Sequence, residues 1–151
     1  MKDDREQKER FSQIAEQSRE MIWEVDADGL YTYVSPNCKR ITGYSPEELT
    51  GKMHFYDLCQ EEGRDAFRRA AFEVFERKEL FRELRNAIAT KDGREVWVST
   101  NVIPMLDNQG NLIGYSGSDY DITDRLSAEQ AGKQGGGGTS RERNKIPLHL
   151  R

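Results

Sequence analysis

At 151 residues, with 35% hydrophobic and 33% charged side chains, the chain has material for one core of about 100 to 150 residues, with polar ends. No apolar run approaches the roughly 20 residues of a membrane helix, and the charged opening Met1 to Arg10 lacks a signal-peptide hydrophobic stretch, so a cytoplasmic chain without membrane insertion is predicted. Arg141, Arg143, Lys145 and Arg151 against Glu142 give the last stretch +3, leaving −7 of the net −4 on the rest; that acidic body argues against nucleic acid as a partner.

The first predicted element is an amphipathic helix from about Asp3 to Ser18, with Phe11, Ile14, Ala15 and Ser18 on one narrow face. Such a stripe can pack on its own domain or form a seam with a second copy, and Phe11, Ile14 and Ala15 are the candidate seam residues. Met21 to Asp26 and Tyr31 to Ser35 are rich in aromatic and β-branched residues and flank the Asp28-Gly29 step, which predicts a hairpin. From Asn37 to Phe55, Gly43, Pro46 and Gly51 punctuate short helical turns, one of them capped by Ser45 with Pro46, Glu47 and Glu48 in its first turn.

The strongest helical period runs from Glu62 to Arg77, with Ala66, Phe67, Ala70, Ala71, Val74 and Phe75 on one face. Three strands follow, at about Phe81 to Thr90, Glu95 to Met105 and Leu112 to Ile122, divided by turns at Lys91-Asp92-Gly93 and Asp107-Asn108-Gln109-Gly110. Thr123 is a plausible cap for a last helix containing Arg125, Leu126, Ala128 and Glu129. This order predicts an α+β fold, one antiparallel sheet with helices on one face. The expected organisation is an N-terminal helix over 1–20, a domain over 21–125, and an exit-helix start, glycine linker and disordered tail over 126–151.

Four stretches, in order, resemble the PAS family with its C-terminal PAC half, and the likeness covers about Phe11 to Arg125. Asp26 to Pro36 is similar to the family's first hairpin and Ile41 to Lys52 to its short-helix segment. Lys91-Asp92-Gly93 with Trp97-Val98 is similar to a turn within its sheet, and Asp121-Ile122-Thr123-Asp124-Arg125 to its exit motif. The resemblance implies a five-stranded antiparallel sheet whose concave face and helices enclose a pocket. It also implies a homodimer and an output domain in cis, such as a histidine kinase or diguanylate cyclase.

The family's thiol-adduct flavin chemistry needs a cysteine where this chain has His54, and Asn37-Cys38-Lys39-Arg40 lies in a different element. Haem binding in the family draws a histidine from the long helix, which holds none here. A non-covalent flavin or a small metabolite stay open. The pocket candidates are Trp23, Tyr31, Tyr33, Ser35, Asn37, Ile41, Phe67, Leu84, Asn86 and Ile88, with Tyr31, Tyr33 and Ser35 on one strand face and Leu84, Asn86 and Ile88 on another.

Cys38 and Cys59 have no metal-ligand or redox spacing and fit a reducing compartment. No metal site and no nucleophile, base and carboxylate constellation can be assembled, so a regulatory module, not an enzyme, is predicted. A signal would leave through Asp121, Ile122, Thr123 and Arg125, with Asp121 pairing with Arg125 or capping the junction. The alternative is a ligand-free dimerisation module.

Overall fold

A computed structural model of the chain describes residues 4–132. The chain runs α1 (Asp4–Gln17), β1 (Glu20–Asp26), β2 (Tyr31–Val34), α2 (Cys38–Thr42), α3 (Pro46–Leu49), a 3₁₀ turn (Phe55–Leu58), α4 (Arg64–Glu76), β3 (Phe81–Ala89), β4 (Glu95–Leu106), β5 (Leu112–Asp121) and α5 (Thr123–Ala131). The strands form one antiparallel sheet in the order β2-β1-β5-β4-β3, which makes the α+β reading correct. Segment 133–151, expected to hold the linker and tail, lies outside the described residues.

Local chemistry explains why the elements start and stop where they do. Asp26 Oδ1 accepts from the backbone N–H groups of Asp28 and Leu30, and Gly29, at φ 88°, completes the turn into β2. Ser45 and Glu48 form a reciprocal capping box at the head of α3. Glu48 also reaches Lys91 Nζ at 2.6 Å, tying this short helix to the β3–β4 turn.

Helix α4 lays Ala71, Val74 and Phe75 into the core. Phe67, Ala70 and Phe72 are half-buried against it, whereas Ala66, expected on the inner face, is exposed at the first turn. Phe75 stacks on Tyr115 of β5 with ring centroids 3.9 Å apart. The Tyr115 hydroxyl meets the carbonyls of Val74 and Glu79 at 3.5 and 3.3 Å, which fixes the end of the helix over the sheet.

Two strands depart from simple alternation. In β2 the residues opposite Trp23, Glu24 and Val25 are Val34, Tyr33 and Tyr31, so Thr32 is an extra residue in the ladder. The bulge turns both Tyr31 and Val34 inward and leaves Tyr33 on the outer side, 36% exposed. The expectation that Tyr31 and Tyr33 share a face is therefore corrected. In β3 the partners of Phe81 and Leu84 are Val102 and Thr100, so Arg82 and Glu83 stand opposite Asn101 alone, one extra residue in the ladder. Glu83 takes a positive φ of 53° there, and its N–H donates to Asn101 Oδ1.

Candidate functional site

The inner face of the sheet does not close completely on the helical layer. It leaves a cavity of about 50 Å³. Trp23 of β1 and Tyr31 of β2 form one side, with Phe55, Leu58 and Cys59 from the 3₁₀ turn and its end; Phe67, Ala71 and Phe75 of α4 cover it. Strand β3 supplies Phe81, Leu84, Asn86 and Ile88, β4 supplies Thr100 and Val102, and β5 supplies Asp119. The β3 bulge is what points Phe81 and Leu84 into the same space, three residues apart.

Against these mostly apolar walls runs one line of polar groups. Asn86 Nδ2 donates to Thr100 Oγ1 at 2.8 Å, and the Thr100 hydroxyl donates to Asp119 Oδ1 at 2.8 Å. The register makes this possible, because Thr100 and Asp119 are direct cross-strand partners and Leu84 faces Thr100 from the other side. Asn86 Nδ2 also donates to its neighbour's carbonyl, Leu84 O, at 3.1 Å.

Burial pushes the Asp119 carboxyl up to about 6 from an ordinary 3.8; the Thr100 hydroxyl and the Trp23 indole pull it back down, and Glu20 adds to the rise. The Trp23 indole is thus close enough to Asp119 to help hold its charge. Yet Trp23 Nε1 is buried without any hydrogen bond of ordinary geometry. The ring lies over Gly117, its partner on β5, where an added Cβ would meet Trp23 Cζ2 at 2.5 Å. Burial likewise raises the Tyr31 hydroxyl, with Asp119 contributing, and pushes the Cys59 thiol up to about 12, which makes it a poor nucleophile.

Of the residues nominated from sequence, Trp23, Tyr31, Phe67, Leu84, Asn86 and Ile88 stand in the cavity wall. Tyr33 faces outward. Ser35 and Asn37 are buried but bond elsewhere: the Ser35 hydroxyl accepts from Ile22 N and donates to Asn37 Oδ1, and Asn37 Nδ2 donates to the carbonyls of Ser18 and Glu20. They staple the end of β2 to the start of β1. Ile41 lies in a separate groove with Arg19, Arg40, Asp121 and Asp124.

Sequence reasoning missed Phe55, Leu58, Cys59, Phe75, Phe81, Val102, Thr100 and Asp119 as wall residues. Asp119 was within reach, since Tyr115, Gly117 and Asp119 recur at period two on one strand face.

His54 stacks on Tyr56 and faces Asp57 at 3.5 Å, and it is not part of the wall. Cys38 is buried in α2, with Sγ 3.3 Å from the Tyr44 carbonyl and its thiol raised by burial to about 11. Of the predicted seam, Ile14 is 70% exposed, and the side chains of Phe11 and Ala15 lie outside the described residues.

The junction after β5 is built almost wholly from satisfied backbone groups. Asp121 N donates to Arg19 O, and Asp121 Oδ1 accepts from Thr123 N at 3.0 Å. Ile122, buried, donates its N–H to Trp97 O, and Thr123 Oγ1 accepts from Trp97 N at 3.1 Å. Asp121 is thus the group that caps the junction. Thr123, expected to be the cap, is the first helical residue and spends its hydroxyl on β4 instead, and Arg125 faces Glu129 at 3.7 Å rather than Asp121. Arg19, at the end of the α1 connection, also stands 3.9 Å from Asp124.

A five-stranded antiparallel sheet with a helical cover and a pocket between them define a small α+β domain. The family model described as PAS fold matches residues 9–121, and the chain belongs to the PAS family.

The chain is 29% identical over 126 residues to the uncharacterized protein y4lL of Sinorhizobium fredii, covering 83% of this chain and 15% of that protein. It is 28% identical over 98 residues to the bacterioopsin transcriptional activator of Halobacterium salinarum, covering 65% of this chain and 14% of that one. It therefore spans a small part of the curated relatives it matches. Among solved structures it is similar in fold to a sensory box histidine kinase/response regulator from Burkholderia thailandensis, with a TM-score of 0.60, 22% identity, and coverage of 81% of this chain and 91% of that one.

Proposed function

We propose that this chain is a non-catalytic sensory module that takes a small ligand in the Asp119 cavity. In a longer cytoplasmic protein it hands the change through Asp121 to Arg125 to an output domain, such as a histidine kinase, diguanylate cyclase or transcriptional regulator. One observation carries the reading: Asp119 in the cavity wall and Asp121 at the capped junction are two residues apart on one strand. A ligand that moves the first displaces the backbone that holds the second, and with it the contact to Arg19 and the start of α5.

The names of the Halobacterium and Burkholderia proteins support a regulatory setting, and two free buried thiols fit a reducing cytoplasm. No helix among the described residues is long and apolar enough to cross a membrane.

The cavity favours a small metabolite over a flavin. Its 50 Å³ falls far below the roughly 300–1,000 Å³ of pockets that take drug-sized ligands. The test is native mass spectrometry of freshly purified chain, followed by amide exchange over residues 121–131 before and after the bound molecule is stripped. A defined excess mass whose removal changes exchange in α5 supports the reading. A chain of bare mass, with exchange in α5 unmoved by any cavity occupant, overturns it.

A second reading has its own support, a ligand-free module that pairs through its surface. Ile103, Tyr120 and Tyr33 are exposed on the outer sheet face, and Ile14 is exposed on α1. Sedimentation equilibrium of the chain with and without residues 1–18 distinguishes it, because a helix seam predicts a dimer that is lost on truncation.

A further inference from the structure

The cavity wall is lopsided in charge. Its lining contains a carboxylate, Asp119, and no lysine, arginine or histidine. The Thr100 hydroxyl is the one donor that reaches this carboxylate with good geometry among the described residues. Around it stand the rings of Trp23, Tyr31, Phe55, Phe67 and Phe75, whose faces are electron-rich. A buried carboxylate costs free energy until something balances it, and aromatic faces attract cations and repel anions. A second feature also points to a ligand: Trp23, 6% exposed, presents a buried indole N–H that makes no hydrogen bond of ordinary geometry, although it stands near enough to Asp119 to ease its charge.

We propose that the cavity recognises a compact organic ammonium, its charged nitrogen set against Asp119 and its short apolar body among the aromatic rings, with an oxygen beside the nitrogen to accept from Trp23 Nε1. This deepens the reading of the cavity as a ligand site and rests on it. Size narrows the class, since 50 Å³ holds roughly four water-sized groups. Short alkylammoniums and amino alcohols fit that limit. Carboxylates of equal size would face Asp119 with like charge, and neutral alcohols would leave it unbalanced.

The experiment titrates the whole ¹⁵N-labelled chain with four probes of matched size: ethanolammonium, n-propylammonium, 1-propanol and acetate. The readout is the Trp23 indole N–H resonance, told apart from that of Trp97 by Trp23→Phe. Both ammoniums are expected to shift it saturably, with ethanolammonium the tighter because its hydroxyl serves the indole. Propanol should bind roughly tenfold more weakly, and acetate should not bind. Asp119→Asn should weaken the ammoniums by about the same factor and bring propanol level with them. The four-probe comparison on unaltered protein stands even if that variant folds poorly.

Equal binding of propanol or acetate overturns the cation assignment and leaves the sensory reading intact. Failure of all four to move the resonance overturns it too, and then an excess mass on the purified chain decides whether the sensory reading survives.

Discussion

The cavity and the exit junction sit two residues apart on β5 and treat polar groups in opposite ways. At the junction, Asp121, Ile122 and Thr123 have specific backbone partners, so the turn into α5 is held by bonds already made. In the cavity, an indole N–H makes no hydrogen bond of ordinary geometry and a carboxylate is held at a protonation balance that burial has shifted. Satisfied polar groups fix geometry; short-changed ones are where an added molecule can gain most. On the proposed function, the junction is the rigid part of the transmission and the cavity the responsive part.

The largest way to break that contrast is Asp119→Asn. The folded pKa of Asp119, about 6, lies above the 3.8 of an ordinary aspartate. Between those values the folded chain keeps a proton that the unfolded chain has lost. Stability from this group is therefore fully present below about pH 4 and falls as the pH rises to about 6, where a penalty on the order of 3 kcal/mol is in place.

Asparagine removes the penalty, so the variant should be more stable than the parent by about that amount near pH 8 and equal to it near pH 4, measured by urea unfolding. The other titratable groups around Asp119 are Glu20, Tyr31 and Cys59. Burial raises the Tyr31 hydroxyl and Cys59 thiol, so neither ionises in this window. Glu48, held down to about 2 first by its hydrogen bond from Lys91, acts with the opposite sign, losing its contribution as the pH falls. It is common to both chains and cancels. A constant difference across pH would mean that Asp119 is not a buried charge.

Gly117→Ala attacks the same wall from behind. The new Cβ would meet the Trp23 ring at 2.5 Å and the Asn101 carbonyl at 2.7 Å, and the carbonyl belongs to the neighbouring strand and cannot easily yield. Destabilisation of about 2 kcal/mol is expected, together with a changed Trp23 fluorescence as the indole is forced off its seat. An unchanged midpoint and spectrum would show that the wall adapts without strain.

How much of this could be read in the sequence follows from what each signal depends on. Strand positions were legible because Asp-Gly and Asn-Gln-Gly turns separate runs of β-branched and aromatic residues. The long helix was legible because its apolar face recurs at helical spacing. Tyr33 was misplaced because one extra residue, Thr32, reverses the alternation in β2, and nothing in Tyr31-Thr32-Tyr33-Val34 announces a bulge. Phe81 was hidden by the second bulge, in β3.

Phe55, Leu58 and Cys59 belong to a 3₁₀ turn and its edge, which have no period long enough to detect. Asp119 shares a period-two face with Tyr115 and Gly117, but nothing local pairs it with Thr100. Only the cross-strand register, a long-range property, shows that they meet inside. The junction was nearly the reverse case. Its residues were named by position and closing the junction was one of two roles expected of Asp121; what position could not give is that Thr123 bonds Trp97 and Arg125 faces Glu129.

The smallest expected effect comes from that junction. Asp121→Ala removes the carboxylate that accepts from Thr123 N but leaves the backbone bonds from Asp121 N to Arg19 O and from Ile122 N to Trp97 O in place. Loss of one hydrogen bond of this kind costs about 1 kcal/mol. If the junction is rigid because its bonds are made, the loss should stay local. Amides at the start of α5 should exchange faster, those of β5 on the cavity side should hold, and probe binding at Asp119 should be unaltered. The diagnostic comparison is exchange in α5 with and without the cavity occupant, which should differ in the parent chain and converge in the variant. Weakened binding at Asp119 in this variant would mean that the two regions are one cooperative unit, and the division between a responsive cavity and a fixed exit would fall.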